Sequence, residues 1–428
     1  MNRIKLILML SIGLVFANPC MSQSYVEYFN FGREALDNKD TLGFRNHMFK
    51  ADSIRPNHQV IMYNLAKGYA LNNETEKAFE ILTTLSQFYA SEGVLDSTDF
   101  QSLIEEEKWK KLKASIEKSN EVIISSELAF EINKTGFHPE GIIYDEEFNH
   151  FFISDIRSGL IYRTDKEGKE LGSFANLSEL GFWSPMGMKI DPSNTNLIWV
   201  ATSAVDNFEN FEPEMKGKSA VLLFDKKTGK LLEQYIPEED GHSYGDLFVT
   251  SKGEVFVTDS QTPVIYKLDR RKSKITEAFS SKEWWSLQGI TSSLDGTKLF
   301  VSDYITGIFV INVLDGRITP LITENYKLRS TDGLYLKGDQ LIAIQNGTLP
   351  KRIAAISLNQ EGTGISSSLK YLDQAREELE EPTLGTWVNG DLYYIANSPW
   401  GYYDEEMNPK YDEWPILKVL RLRASGIK

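Results

Sequence analysis

The chain has 428 residues, of which 41% are hydrophobic and 25% charged, and a formal net charge of −15. That length exceeds what one ordinary core supports, so two domains are expected, both of soluble globular composition. The acidity excludes a large nucleic-acid footprint, which needs a basic face, and is compatible with cation binding.

Met1 to Ser22 reads as a secretory leader. Arg3 and Lys5 give a basic start, and small polar residues follow the apolar core from Ile4 to Phe16. That core is too short to cross a bilayer comfortably. Cleavage after Ser22 removes Arg3 and Lys5 and takes the charge from −15 to −17. The sole cysteine, Cys20, offers an alternative as a lipoprotein anchor, although Asn18 and Pro19 stand where small residues are expected. With the cut after Ser22 no cysteine remains, which excludes disulfides and thiol catalysis. No later stretch is apolar enough to span a membrane, so an exported product, periplasmic or secreted, is expected.

Residues 23–120 form a helical domain. A 34-residue phrase repeats within it: Gly32 aligns with Ala66, Phe31 with Leu65, and Phe44 with Ala78. Small residues at Gly32, Ala51, Ala66 and Ala78 let helices approach closely, while Tyr63, Leu65, Tyr69, Phe79 and Leu82 fill the grooves between them. Period and pattern resemble the tetratricopeptide repeat. A further helix over Phe100–Ile116, with Leu103, Trp109 and Leu112 on one face, is expected to cap the two copies. The resemblance implies a groove for a protein or peptide partner. Short arrays of this kind also brace a neighbouring domain, and both roles stay open here.

From Glu127 onward the periodicity is that of strands. Leu287–Asp303 is a hairpin in miniature, with turn chemistry at Leu294-Asp295-Gly296 and alternation from Lys298 to Ser302. The phrase recurs. Equivalent glycines stand at Gly141, Gly187, Gly289, Gly333 and Gly385, with Gly245-Asp246 in the same place, at steps of 46, 58, 44, 44 and 52 residues. A second strand follows each and ends on a small polar residue: Asp155, Thr202, Asp259, Asp303, Asn346 and Asn397. Third strands such as Val221–Phe224 and Ile308–Ile311 come next, and space remains for a fourth. Six four-stranded units at this period predict an all-β six-bladed β-propeller over 127–428, behind an N-terminal α-helical domain. Glu127–Ile132 then completes the last blade beside Ile416–Leu422, so the ring hides its own sheet edges.

In such a ring the residue before each repeated glycine points at the axis. Those residues are Glu140, Met186, Gly245, Gln288, Asp332 and Leu384. Two carboxylates and an amide converging on one channel are what a hard divalent cation such as Ca²⁺ needs, with water completing its six to eight ligands. Propeller channels are also commonly lined with polar residues that hold only water.

The frame HPEGIIYD at His138–Asp145, QGI at Gln288–Ile290 and DGL at Asp332–Leu334 resemble the gluconolactonase and senescence-marker-protein family. That family sits within a wider group of strictosidine-synthase-like and paraoxonase-like propellers. The resemblance covers Glu127–Lys428 and implies a divalent cation that polarises a lactone carbonyl, with an aspartate as base for water. Carried over residue by residue, Glu140, Gln288 and Asp332 become metal ligands and Asp332 the catalytic base. Gln288 replaces an asparagine and keeps its oxygen, whereas Gly245 replaces another and has no side chain. GDLFVT (Gly245–Thr250), IQNGTLPKR (Ile344–Arg352) and Glu381–Trp400 are similar to a bacterial branch of these propellers, which carries that Gly-Asp, Gln-Gly and Asp-Gly set itself.

Asp246, Trp183, Trp285, Gln345 and Asn346 lie at the mouth end of blade strands and are candidate substrate contacts. Aromatic rings there, including Trp284, Trp387 and Trp400, suit a sugar or apolar ring; packing between blades is the plainer role for most. Ser154-Asp155, Thr258-Asp259 and Ser302-Asp303 are expected to hydrogen-bond neighbouring turns. There is no H-E-x-x-H or C-x-x-C. Two readings follow: a cation-dependent hydrolase of lactones or related esters, or a non-catalytic propeller that holds a small-molecule ligand at its mouth.

Overall fold

The computed structural model describes residues 19–322, 328–366 and 369–427. Most of the leader expected at Met1–Ser22 therefore lies outside the described residues. No helix among those described is long and apolar enough to cross a membrane.

Among the described residues five α-helices come first: α1 (Pro19–Asp37), α2 (Thr41–Ile54), α3 (Gln59–Leu71), α4 (Thr75–Ser86) and α5 (Glu107–Ser119). Small residues let neighbouring helices approach closely. A Cβ on Gly32 would sit 2.6 Å from the Met48 side chain, and one on Gly68 2.9 Å from the Arg45 backbone. Phe44, Met48, Leu65, Tyr69, Phe79, Leu82, Trp109 and Leu112 form a core separate from that of the strands. The single helix expected over Phe100–Ile116 is instead two elements, a 3₁₀ stretch at Thr98–Leu103 and α5. The Ser97 side chain caps Asp99, Phe100 kinks the stretch at φ −113°, and the stretch stops at Leu103, before α5 begins at Glu107.

The rest of the chain is a closed ring of six four-stranded antiparallel sheets. Innermost strands run Pro139–Asp145, Ser184–Ile190, Tyr244–Val249, Leu287–Ser292, Thr331–Lys337 and Gly385–Val388, in blades one to six. Ser126–Ile132 pairs with Leu417–Leu422 and closes blade six with the start of the domain. Each gap between neighbouring blades holds one apolar cluster, such as Phe152 and Phe174 against Met188 and Phe224 between blades one and two. Middle strands are thus covered on both faces, which is why stretches such as Val221–Phe224 are apolar without alternation.

The repeated glycines have a common mechanical cause. Five of the six innermost strands shift register at the repeated dipeptide, between Pro139 and Ile142, Pro185 and Met188, Tyr244 and Leu247, Leu287 and Ile290, and Thr331 and Leu334. A bulge of this kind re-aims the extra residue. The glycine in it lies against the next blade: a Cβ on Gly141 would fall 2.4 Å from Met186 O, and one on Gly289 2.3 Å from Asp332 O. Hydroxyls complete the ties, with Ser154 donating to Met186 O at 3.2 Å, Thr258 to Gln288 O at 2.7 Å and Thr383 to Glu140 O at 3.0 Å. The neighbouring aspartates hold the turns. Asp303 accepts from the backbone N–H groups of Trp285, Ser286, Ile305 and Thr306.

Candidate functional site

The bulges set Glu140, Gln288 and Asp332 at one end of the ring, the mouth, where the second strands end. Each side chain is partly exposed in an otherwise buried strand. Glu140 Oε2 accepts from the Trp400 indole N–H at 2.9 Å. Asp332 Oδ2 accepts from Asn346 Nδ2 at 2.7 Å, and Asn346 Oδ1 in turn accepts from the Tyr304 hydroxyl at 3.0 Å. Gln288 Nε2 donates to Ser286 Oγ at 3.2 Å. Its Oε1 then lies 3.4 Å from where a Cβ on Gly245 would be, so the longer side chain of blade four covers the place that blade three leaves bare.

Charge at this mouth is strained in one direction. Burial raises the Glu140 carboxyl well above the ordinary carboxylate range, and the Asp332 charge raises it further, against the Trp400 hydrogen bond. Asp332 is pushed up to about 7 by burial and by the charges of Glu381 and Asp246, against the bond from Asn346. Like charges sharing a poorly solvated site oppose each other's ionisation. Glu381 is also raised by burial, but Lys351 Nζ stands 3.0 Å from its Oε2 and works the other way. The Tyr304 hydroxyl is held protonated by burial and by the charges of Glu381 and Asp332.

The remaining sequence candidates divide. Asn346 is part of the site through Asp332. Gln345 is fully buried, its amide spent between Arg329 O at 2.6 Å and Arg352 Nε at 3.0 Å. Asp246 is 2% exposed and lies over Gly187 between blades two and three, with Lys189 Nζ 3.4 Å from Oδ1. It acts on the mouth by charge from behind the lining, because it occupies the glycine position of the bulge and not the axis-facing one. Trp183 is partly buried against the cluster between blades one and two. Trp285 is half-buried and its backbone N–H is donated to Asp303. Trp284 and Trp387 pack in inter-blade clusters.

Sequence reasoning gave no role to Glu381, Lys351 or Tyr304, and to Trp400 only that of an aromatic wall at the mouth. Trp400, Glu381 and Lys351 fall inside the stretches Ile344–Arg352 and Glu381–Trp400 that stood out as motifs, which was the available signal. A cleft of about 610 Å³ lies between Arg157, Asp206–Glu209, Tyr403 and Glu406–Pro409. It is separated from Glu140 by His138, which meets Tyr403 Oη at 2.7 Å and the Trp400 ring at 4.8 Å between centroids.

No family model matches the chain, and no curated protein does. Among solved structures it is similar to the PQQ-bound aldose sugar dehydrogenase of Streptomyces coelicolor at 11% identity and a TM-score of 0.49, over 68% of this chain and 96% of that one. A streptogramin B lyase is 15% identical with a TM-score of 0.46, over 70% and 97% of the two chains. A luciferin-regenerating enzyme is 14% identical with a TM-score of 0.46, over 67% and 91%. Likenesses at this level carry no argument about chemistry.

Proposed function

We propose that this is an exported propeller whose channel mouth holds a divalent cation, most simply Ca²⁺, and hydrolyses lactones or related esters. One observation carries the reading: Glu140 and Asp332 face the same mouth, each oppressed by surrounding negative charge, with one oxygen of each pinned by a protein donor. The donor set fits a hard cation. Among the described residues no three His, Cys, Asp or Glu side chains gather as a metal centre, so the Gln288 oxygen is needed beside the two carboxylates, and water supplies the rest of the shell. The resemblance of these three frames to the gluconolactonase family points the same way.

A bound cation would supply polarisation of the substrate carbonyl. The protein's own groups do the remainder. Asp332 takes the proton of the attacking water; a cation beside it would favour its ionised form over the raised proton affinity that burial and the neighbouring charges give it alone. Asn346 fixes the Asp332 carboxylate, and the protonated Tyr304 fixes the Asn346 amide so that Nδ2 faces Asp332. Trp400 orients Glu140, and Lys351 offsets the charge of Glu381 beside the site.

The second reading, a binding propeller without turnover, is favoured by the bare axis position at Gly245. On the tetratricopeptide likeness, the paired helices α1–α2 and α3–α4 would offer a groove to a peptide or protein partner. Calorimetric titration of Ca²⁺ into chelator-treated protein tests the site. One site is expected, lost in Asp332→Ala and Glu140→Ala, together with turnover of some member of a lactone and ester panel. Absence of binding at millimolar Ca²⁺ would overturn the proposal, and binding without turnover would leave the second reading.

A further inference from the structure

The helical region meets the propeller at the mouth end of blade five. The segment after α4 runs alongside the loop between the second and third strands of that blade. Ala90 N donates to Leu349 O at 2.7 Å, and Leu349 N donates to Phe88 O at 2.9 Å. Arg352, 2% exposed, ties both sides together: Nη2 donates to Gln87 O at 3.1 Å, Nε to Gln345 Oε1 at 3.0 Å and Nη1 to the Tyr371 hydroxyl at 3.2 Å. Gln345 passes the restraint to Arg329 O, three residues before Asp332.

The opposite side of the same loop is the site. Asn346 at its start holds Asp332, and Lys351 at its end bonds both Asn346 O and Glu381. Inside the loop, Gly347 presses against the Tyr304 ring so closely that a Cβ would fall 2.5 Å from Cζ. Thr348 Oγ1 spans Gln345 O and Pro350 O from within. The loop is therefore clamped, with Tyr304 and the carboxylates on one side and Phe88–Ala90 on the other. Phe88 is itself seated in the helical region, 3% exposed against Met62 and Leu85.

We infer that the helical region is a working part of the channel site: through Gln87–Ala90 and Arg352 it positions Asn346, and thereby the Asp332 carboxylate. Phe88 and Arg352 are positioning residues, since neither touches the mouth. The functional consequence rests on the reading of Asp332 as cation ligand and base, whereas the positional claim stands or falls on its own measurement. A second tether provides the control. Ile123 and Gln374 exchange backbone hydrogen bonds at 3.0 and 2.9 Å. Gln374 lies opposite Arg352 in the strand pair, but its side chain Nε2 donates to Glu121 O at 3.1 Å and not to the loop.

The test uses the full chain. The side-chain amide signal of Asn346 in ¹⁵N NMR, assigned by its loss in Asn346→Ala, reads the bond to Asp332 directly, and Ca²⁺ affinity reads the site. Phe88→Ala is expected to speed hydrogen exchange at the Asn346 amide and weaken Ca²⁺ binding at least fivefold, with Gln374→Ala changing neither. Arg352→Lys, which keeps the charge but reaches fewer partners, is expected to follow Phe88→Ala and serves if that variant misfolds. An Asn346 amide unchanged in Phe88→Ala and in Arg352→Lys would overturn the inference. If the wild-type protein binds no Ca²⁺, the proposed function fails while the amide still decides the positional claim.

Discussion

Gly289→Ala is the sharpest test of how the ring places its site. A Cβ at this position would lie 2.3 Å from Asp332 O, 2.6 Å from Leu334 N and 3.0 Å from Leu334 Cβ, all in blade five. Gly289 is not among the residues with positive φ, so alanine can adopt its conformation and the cost is one of contact. Overpacking costs about 1–3 kcal/mol. The two nearest atoms here are backbone and cannot rotate away, which places the change near the upper end, about 3 kcal/mol. With a urea slope of about 3 kcal/mol/M, the unfolding midpoint falls by about 1 M. Gly245→Ala is the matched control, because its nearest neighbour is the mobile end of Gln288 at 3.4 Å. Its effect should stay within about 0.5 kcal/mol. Urea unfolding followed by tryptophan fluorescence compares the two. Ca²⁺ titration should show the same order, since relief of the clash displaces the backbone of Asp332 itself. Equal midpoints for the two variants would refute the close-approach argument.

Three further outcomes follow from the site. Asp332 is raised from 3.8 to about 7 in the folded protein, so the fold binds its proton more tightly than the unfolded chain does, and the stability this contributes is lost as pH rises between those values. In Asp332→Asn that loss should vanish, leaving the variant more stable than wild type at pH 8 by urea midpoint; a parallel pH dependence in both would count against the assignment. Trp400→Phe keeps a ring on His138 but removes the donor to Glu140. A hydrogen bond to a charged group contributes about 1.5–3 kcal/mol, so calorimetry should show Ca²⁺ affinity reduced about tenfold or more. Gly245→Asn restores an oxygen donor at the bare axis position and should tighten Ca²⁺ binding; unchanged affinity would mean that residue 245 does not face the cation.

Much of the ring was legible because its determinants are local. Alternation, turn residues and the repeated bulge glycine are set by backbone sterics within about ten residues, so Gly141, Gly289 and Gly333 announce their blades. The positions of Glu140 and Asp332 on their strands were legible for the same reason, since both stand at the bulge. The single helix expected over Phe100–Ile116 failed because a side-chain cap at Ser97 and the non-helical Phe100 interrupt the apolar pattern without changing its spacing.

What the sequence alone determined, then, is the repeating strand frame and which residue stands at each repeated bulge. The tertiary structure decided who their partners are. Trp400 reaches Glu140 across 260 positions, and Arg352 reaches Gln87 across 265, because ring closure and the docking of the helical region bring distant loops to one mouth. It also decided that Gln345 and Asp246 stand behind the lining, since burial in a propeller depends on which face of a bulge a residue occupies and on the blade next door. Local chemistry writes the frame of each blade; contacts between blades, which carry no sequence period, set the protonation and reach of the groups at the mouth.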